Sequence, residues 1–363
     1  MPKLSEEAIL EDILYDIEDE KCILLVGPEI IQIEGKPIAK YVHEKILENH
    51  SGFIEYYYSN VSLFLFRDKN SKNRAAGRLK YIYPKKEEIK DGLLEKILQL
   101  PLPLIISLNP DTLLSDFAEK AGIAHQFSHF CFNGKANGQI EAPTAQNPLI
   151  YNIFGSIREE ESLLLDYDDL FQFLGSIIPA GLPQKIRNKL KDARSFIFLG
   201  FDFNKWYSQL LIQLLAEKES SKFALNTDIS DPQAKNFLIH QFKIQFLDKE
   251  LGLFDRLFDR LEKEGMLRKL AEQVNGKGEA ISKEAIEEVK KLVVNGELGK
   301  AFNRLEGLAL HTSFHTEALL LSSRFNTWKR DNEAGIQTQS DANIELNKIR
   351  QSLFGLLEKI NRP

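Results

Sequence analysis

The sequence predicts an α/β protein: a doubly wound, mostly parallel, Rossmann-like sheet followed by a small all-α helical bundle. Three observations carry that expectation. Four short, nearly all-apolar runs, "CILLVG" (22–27), "PLIISLNPD" (103–111), "LIYNIFGS" (149–156) and "SFIFLGFD" (195–202), alternate with amphipathic stretches over the first 270 or so residues. This is the pattern of a sheet covered by helices on both faces. Each run stops at Gly, Asn, Asp or Ser, so the polar stops converge on one crevice at the carboxyl ends of the strands. Beyond residue 282 the text is helical throughout.

The elements follow in order. "MPKLSEEAILEDILYDIEDE" alternates acidic and apolar residues without a basic n-region or a small-residue cleavage site, so it reads as a helix and not as an export signal. "CILLVG" is the first buried strand, "IEGKP" a turn and "KPIAKYVHEKILEN" a helix, while "NVSLFLFRD" stays unassigned within an irregular stretch from 30 to 100. "PLIISLNPD" is the second strand, followed by the helix "TLLSDFAEKAG", which ends at Gly122. After "LIYNIFGS" and "SFIFLGFD" a helix begins near Trp206, and "FALNTD" (223–228) and "KIQFLD" (243–248) are strands flanking a further helix.

Gly, Asn and Lys interrupt the helical pattern at "EQVNGKGEAIS". The expected division is an α/β domain over 1–271, a linker over 272–281 and a helical domain over 282–363. In the last of these Ser282 is the expected N-cap, Ile286, Val289 and Val293 share one face, and Asn295-Gly296 closes the helix. Leu346, Ile349, Leu353, Leu356 and Ile360 form a continuous stripe that needs a partner, with Thr338 and Asp341 as a weak capping box at its start.

Composition narrows the function classes. Net charge is −6 with 28% charged residues, and no basic stripe suggests nucleic acid as a partner. The longest apolar run, "LPLPLIISL", is too short to cross a bilayer. Cys22 and Cys131 make neither a disulfide framework nor a four-cysteine zinc site, which fits a reducing cytoplasm. His125, His129 and Cys131 lie within seven residues of one another but lack a fourth ligand, so no metal is expected.

Each polar stop has two readings. Gly27 lets a backbone approach closely, as a pyrophosphate site requires, yet Pro28 and Glu29 fill the turn where a fingerprint wants glycines. Asn109 and Asp111 suit orientation of a ribose, water or carboxamide, and equally suit an N-cap pair. Gly200 followed by Asp202 reads as a turn with a capping carboxylate.

Taken in order, these runs resemble the sirtuin superfamily in its divergent bacterial form, over residues 20 to about 250. "VGPEI" falls where the glycine-rich turn belongs, and Asn109 and Asp111 match an Asn and an Asp two residues apart. "FGS", Phe154-Gly155-Ser156, falls on a His-Gly-Ser stretch, and "LGFD" ends on Asp202 where a serine is usual. The C-terminal segment, "IEEVKKLVVNGELGKAFNRLEGL" through "NIELNKIRQSLFGLLEKI", is similar to the effector-associated domains of bacterial conflict systems. These adaptors join an effector to a partner by like-with-like contacts.

The resemblance implies NAD or ADP-ribose as ligand, held by Gly27, Glu29, Asn109, Asp111, Phe154, Gly155, Ser156, Gly200 and Asp202. It also implies that Phe154 occupies the place of the histidine that takes a proton. Without that base a contribution of roughly 10²- to 10⁴-fold is unfilled. Glu29 and Asp202 add carboxylates where phosphates would lie. The expectation is a conflict or antiphage component in which a degenerate sirtuin-like domain acts as scaffold or weak nucleotide sensor. Its partner would be a protein bearing a matching adaptor domain, and a homo-oligomer is compatible with this. The alternative is an active NAD hydrolase, with Asn109 positioning water and His125 or His129 as base. Protein deacylation is the least favoured activity, since two cysteines cannot make the zinc ribbon of sirtuin deacylases.

Overall fold

The computed structural model describes residues 6–89, 92–133, 139–216, 219–225, 229, 231–248, 252–268, 283–295, 297–309 and 339–361, with single positions between 318 and 332. The chain divides into two compact units, Met1–Leu270 and Ala271–Pro363. The expected linker, Ser282, Gly296 and Thr338 lie outside the described residues.

The first unit is built on seven strands: β1 (Cys22–Val26), β6 (Leu104–Ser107), β7 (Gln126–His129), β8 (Leu149–Asn152), β9 (Ser195–Leu199), β10 (Ser221–Leu225) and β11 (Ile244–Asp248). Their order across the sheet is β11-β10-β9-β1-β6-β8-β7. Every pairing in it is parallel, so the sheet is wholly rather than mostly parallel. The four apolar runs are its four central strands. Residues alternate between faces as the strand period demands: Cys22, Leu24 and Val26 enter one core, and Ile23 and Leu25 the other.

Helices cover both faces. One core takes α1 (Glu6–Glu18), α2 (Ile38–His50), α3 (Lys69–Ile82), α4 (Leu93–Gln99), α5 (Leu113–Lys120) and α10 (Gly252–Lys263); the other takes α6 (Tyr167–Ala180), α7 (Gln184–Asp192), α8 (Trp206–Leu215) and α9 (Pro232–Gln241). The connection leaves β1 toward β6 on one side, and the chain later returns to β9 on the other. β1 is therefore the switch point at which a doubly wound sheet opens a crevice. The irregular stretch between 30 and 100 holds two short antiparallel ribbons, β2 (Gln32–Ile33) with β3 (Lys36–Pro37) and β4 (Ile54–Tyr58) with β5 (Leu63–Phe66). Lys72 on α3 ties this layer to the start of α6 through Asp166 at 2.8 Å and Asp169 at 2.5 Å. At the amino ends of the strands, the Arg268 guanidinium donates to the carbonyls of Leu98, Leu102 and Ala145. Arg268, the last described residue of the first unit, thus lies on the side of the sheet away from the crevice.

The second unit contains α11 (Lys283–Val294), α12 (Leu298–Ala309) and α13 (Gln339–Asn361). Ile286, Val289 and Val293 pack with Phe302 and with Ile349, Leu353 and Leu356 of the terminal stripe. Phe302 stacks on Phe325 at 5.0 Å, and the Trp328 indole donates to the Ala342 carbonyl at 2.8 Å.

Candidate functional site

The strand ends do meet, but their glycines are met by protein. Gly27 follows β1, and a Cβ built on it would stand 2.0 Å from the Gly200 carbonyl oxygen and 2.5 Å from Phe201 Cα. The Gly27 and Glu29 amides donate to the carbonyls of Leu199 and Gly200, at 2.9 and 3.2 Å. Gly200, at φ +60°, is crowded in turn by Ile30. No α-helix begins at this turn: a single 3₁₀ turn, Pro28–Ile30, follows Gly27, and α2 starts at Ile38. The dipole of a long helix is therefore absent from the place where an anion would be expected.

The "FGS" end closes in the same way. Gly155 has φ +88°, and a Cβ there would lie 2.0 Å from the Ser162 carbonyl oxygen. Ser156 is buried, its amide donating to Ser162 Oγ at 2.9 Å and its hydroxyl accepting from the Arg158 amide at 3.2 Å. Asp111 is buried as a cap: one carboxylate oxygen accepts from the Leu113 amide at 2.9 Å, while Oδ2 has no partner. Burial pushes its pKa up to about 6, against the lowering pull of the Leu113 amide. The Asn152 amide donates to the Asp111 carbonyl at 2.7 Å and fixes this turn.

Between these ends and the α2, β5 and α3 layer lies a largely apolar cavity of about 90 Å³. Its polar lining includes His43, Asn109, Asp202, Lys205 and Ser208. Phe154 walls it, its ring held edge-on by Phe173 at 5.5 Å and Tyr207 at 5.7 Å. Tyr207 is itself fixed, its hydroxyl donating to the Val61 carbonyl at 3.0 Å. Ser208 Oγ is buried without a hydrogen-bond partner. Asp202 pairs with Lys205 at 3.3 Å and accepts from the Asn204 amide at 3.1 Å. Burial first, and then the Asp202 charge, raise the Glu29 pKa against Lys205 and Lys40.

The sequence-named residues thus divide. Asn109, Phe154 and Asp202 come together around the cavity. Gly27, Gly155, Ser156 and Gly200 serve the packing of neighbouring turns, and Asp111 caps α5. Neither His125 nor His129 is among the described residues lining the cavity. The His125 ring is engaged by Ser115 Oγ at 2.8 Å and the Ile123 carbonyl at 2.9 Å. Among the described residues no group of three His, Cys, Asp or Glu could hold a metal ion.

His43 is the residue the sequence did not disclose. It shares a 2.8 Å hydrogen bond between Nδ1 and the Tyr57 hydroxyl and sits edge-on to Phe64. Burial, and then the Lys205 charge, push its pKa down to about 3, so its imidazole is neutral at physiological pH. The only local signal was its place beside Val42 and Ile46, the buried stripe of α2.

These residues do not fit a dinucleotide whose pyrophosphate lies on the Gly27 turn. Gly200 fills the open side of the glycine, the amides already have acceptors, and Glu29 and Asp202 would repel phosphate. The volume is also small beside the ~300–1,000 Å³ of an ordinary ligand pocket. The polar side chains that line this small, largely apolar space include Asn109, His43 and Ser208.

Comparison with known proteins bears on both units. Residues 103–247 match the family model described as a SIR2-like domain, and residues 284–361 match effector-associated domain 11. The chain therefore joins a SIR2-like domain, of a kind that binds NAD-related ligands, to an effector-associated domain, of a kind that acts as an adaptor in protein interaction. The SIR2-like match begins after β1, so Gly27 and Glu29 fall outside it. The chain is also 31% identical over 80 residues to a Roc-COR-CHAT protease from an unknown prokaryotic organism. That stretch covers 22% of this chain and spans only 7% of the length of that curated relative.

Proposed function

We propose that this union of a SIR2-like domain with an effector-associated domain is a recruited component of a prokaryotic conflict system, in which the first unit works as a scaffold and not as a hydrolase. The observation that carries the proposal is Phe154, an aromatic ring clamped by Phe173 and Tyr207 where the resemblance calls for a proton acceptor. The closed Gly27 turn supports it independently. The second unit supplies recruitment, and the partner carries a matching adaptor. A far longer protein that shares an 80-residue stretch with this chain, as the Roc-COR-CHAT protease does, is the kind of partner this reading favours, because the stretch is the size of one adaptor domain.

A second reading, NAD hydrolysis with Asn109 orienting water, draws support from His43, which lines the same cavity. Its basicity argues against it. General-base catalysis is most effective when the pKa lies near the working pH, and the His43 pKa lies near 3 beside the Lys205 ammonium. Such an imidazole accepts a proton only weakly.

The test is NAD consumption by the full chain, alone and with its partner, together with thermal shift in NAD or ADP-ribose. A ligand at 100 times its dissociation constant adds about 2.7 kcal/mol of stability, whereas the scaffold reading expects no turnover and no shift of that size. Turnover that disappears in Asn109→Ala refutes it. Partner capture that survives deletion of 283–363 refutes the recruitment role.

A further inference from the structure

Helix α8 has no Asp, Glu, Lys or Arg in its ten residues, in a chain that is 28% charged. Its inner face is core, formed by Tyr207, Leu211, Ile212 and Leu215. The outer face of such a helix ordinarily carries charge. Here Trp206, Leu210 and Leu214 stand 41%, 39% and 39% exposed, four residues apart, with Gln209 and Gln213 beside them. At 1.5 Å per residue this stripe is about 12 Å long.

At the C-terminal end of the stripe opens a groove of about 620 Å³, walled by Leu214, Phe237 and Phe242 with Arg187 and Lys191 at its side. Phe237 is 47% exposed. At the other end the Trp206 indole projects, held edge-on by Tyr207 at 5.9 Å. One helix therefore presents an exposed aromatic ring four residues before Leu210 and, beside the residue four after it, a concave cleft whose apolar wall is flanked by cationic and amide side chains.

We infer that α8 is a homodimer face: two copies of the chain pair their α8 helices antiparallel about a two-fold axis beside Leu210. Each inserts Trp206 into the groove next to the other's Leu214. A two-fold contact requires a surface complementary to itself, and an antiparallel pairing centred on Leu210 brings the position four residues before it opposite the position four residues after it. The lack of charge matters as well, because the side chain on the axis, Leu210, meets its own copy, where two like charges would repel each other. The groove's Arg187 and Lys191 then flank the entering indole, whose face attracts cations. An acidic peptide would suit those two cations but would leave the uncharged stripe toward Trp206 without an explanation. The inference is independent of the scaffold reading, since it rests on neither the cavity nor the adaptor.

The experiment uses the full chain in sedimentation velocity and cross-linking. Wild type is expected to show a concentration-dependent dimer. Leu210→Arg, which sets two guanidinium groups on the axis, is expected to raise the dissociation constant by about two orders of magnitude with an unchanged circular dichroism spectrum. In a Cys131→Ser background, Leu210→Cys is expected to couple to its own copy through a short bis-maleimide, while Tyr81→Cys on α3 does not; Cys22 is fully buried and stays silent. A monomeric wild type at its highest soluble concentration overturns the inference. So does a Leu210→Arg chain that remains as dimeric as wild type, or a Leu210→Cys chain that couples no better than Tyr81→Cys.

Discussion

Gly27→Ala separates a turn kept open for a ligand from one closed by protein. The backbone at Gly27, φ −97° and ψ 175°, is open to any residue, so alanine brings no conformational strain. The cost is overlap. The new methyl would stand 2.0 Å from the Gly200 oxygen, 2.5 Å from Phe201 Cα and 2.6 Å from the Gly200 carbonyl carbon, and all three are backbone atoms that cannot rotate away. Relief requires the two turns to part by more than about 1 Å, with overpacking of this kind costing roughly 1–3 kcal/mol. That separation also strains the Gly27–Leu199 and Glu29–Gly200 hydrogen bonds, each worth about 1 kcal/mol. The expected destabilisation of the first unit is about 3–5 kcal/mol. Urea unfolding followed by Trp206 fluorescence in a Trp328→Phe background reads this unit, and the midpoint should fall while the m-value holds. A loss below about 1 kcal/mol, typical of surface changes, would mean that the space beside Gly27 yields, and the closed-turn argument would fail.

Four further outcomes follow from the same geometry. Asp111 is raised to about 6, so the folded chain holds a proton there that the unfolded chain has released above about pH 4; its contribution is full below that pH and is lost as pH rises through 6. Asp111→Asn keeps an acceptor for Leu113 and should stabilise the first unit at about pH 8 by up to about 3 kcal/mol, with little effect at about pH 4, as thermal melts at the two pH values will show. Phe154→His should fold yet give no NAD turnover, because restoring an imidazole does not reopen the Gly27 turn; measurable hydrolysis would contradict this. Lys72→Ala leaves the Asp166–Asp169 pair uncompensated and should cost about 2–3 kcal/mol, below the range for fully buried pairs because these side chains keep some solvent, measured by the same urea titration. Phe302→Ala should cost the second unit about 3–5 kcal/mol and abolish partner capture while the Trp206 signal of the first unit stays in place.

The parts of this fold that were legible are those whose period is fixed by burial on both faces. β1, β6, β8 and β9 are continuous apolar runs because each lies between two cores, and the terminal stripe from Leu346 to Ile360 is helical because only that spacing reaches one side of α13. β4 and β5 stayed illegible for the opposite reason. They pair with each other, not with the main sheet, and Tyr56 and Leu65 face solvent, so neither strand carries a clean alternation. His43 was hidden differently. Its helix was evident, but its chemistry comes from Tyr57 on the β4–β5 ribbon and Lys205 before α8, two segments whose approach no local pattern records.

Gly27 and Gly200 show where sequence reading of a site reaches its limit. A glycine at the end of a buried strand signals that something comes close, and a phosphate and a second backbone demand the same missing Cβ. The choice between them is made by register. β1 and β9 are neighbours paired with Val26 opposite Leu199, so the next residue on each strand is a glycine and the two emerge side by side. The Gly27 and Glu29 amides, bonded to the carbonyls of Leu199 and Gly200, set the two turns against each other as a packing contact. The dependence is directional: Gly200→Ala adds a methyl 2.4 Å from Ile30 Cγ2, a side chain that can shift, as well as 2.8 Å from the Ile30 amide. Its further cost comes from φ +60°, a left-handed conformation that disfavours alanine, whereas the extended backbone at Gly27 adds no conformational cost.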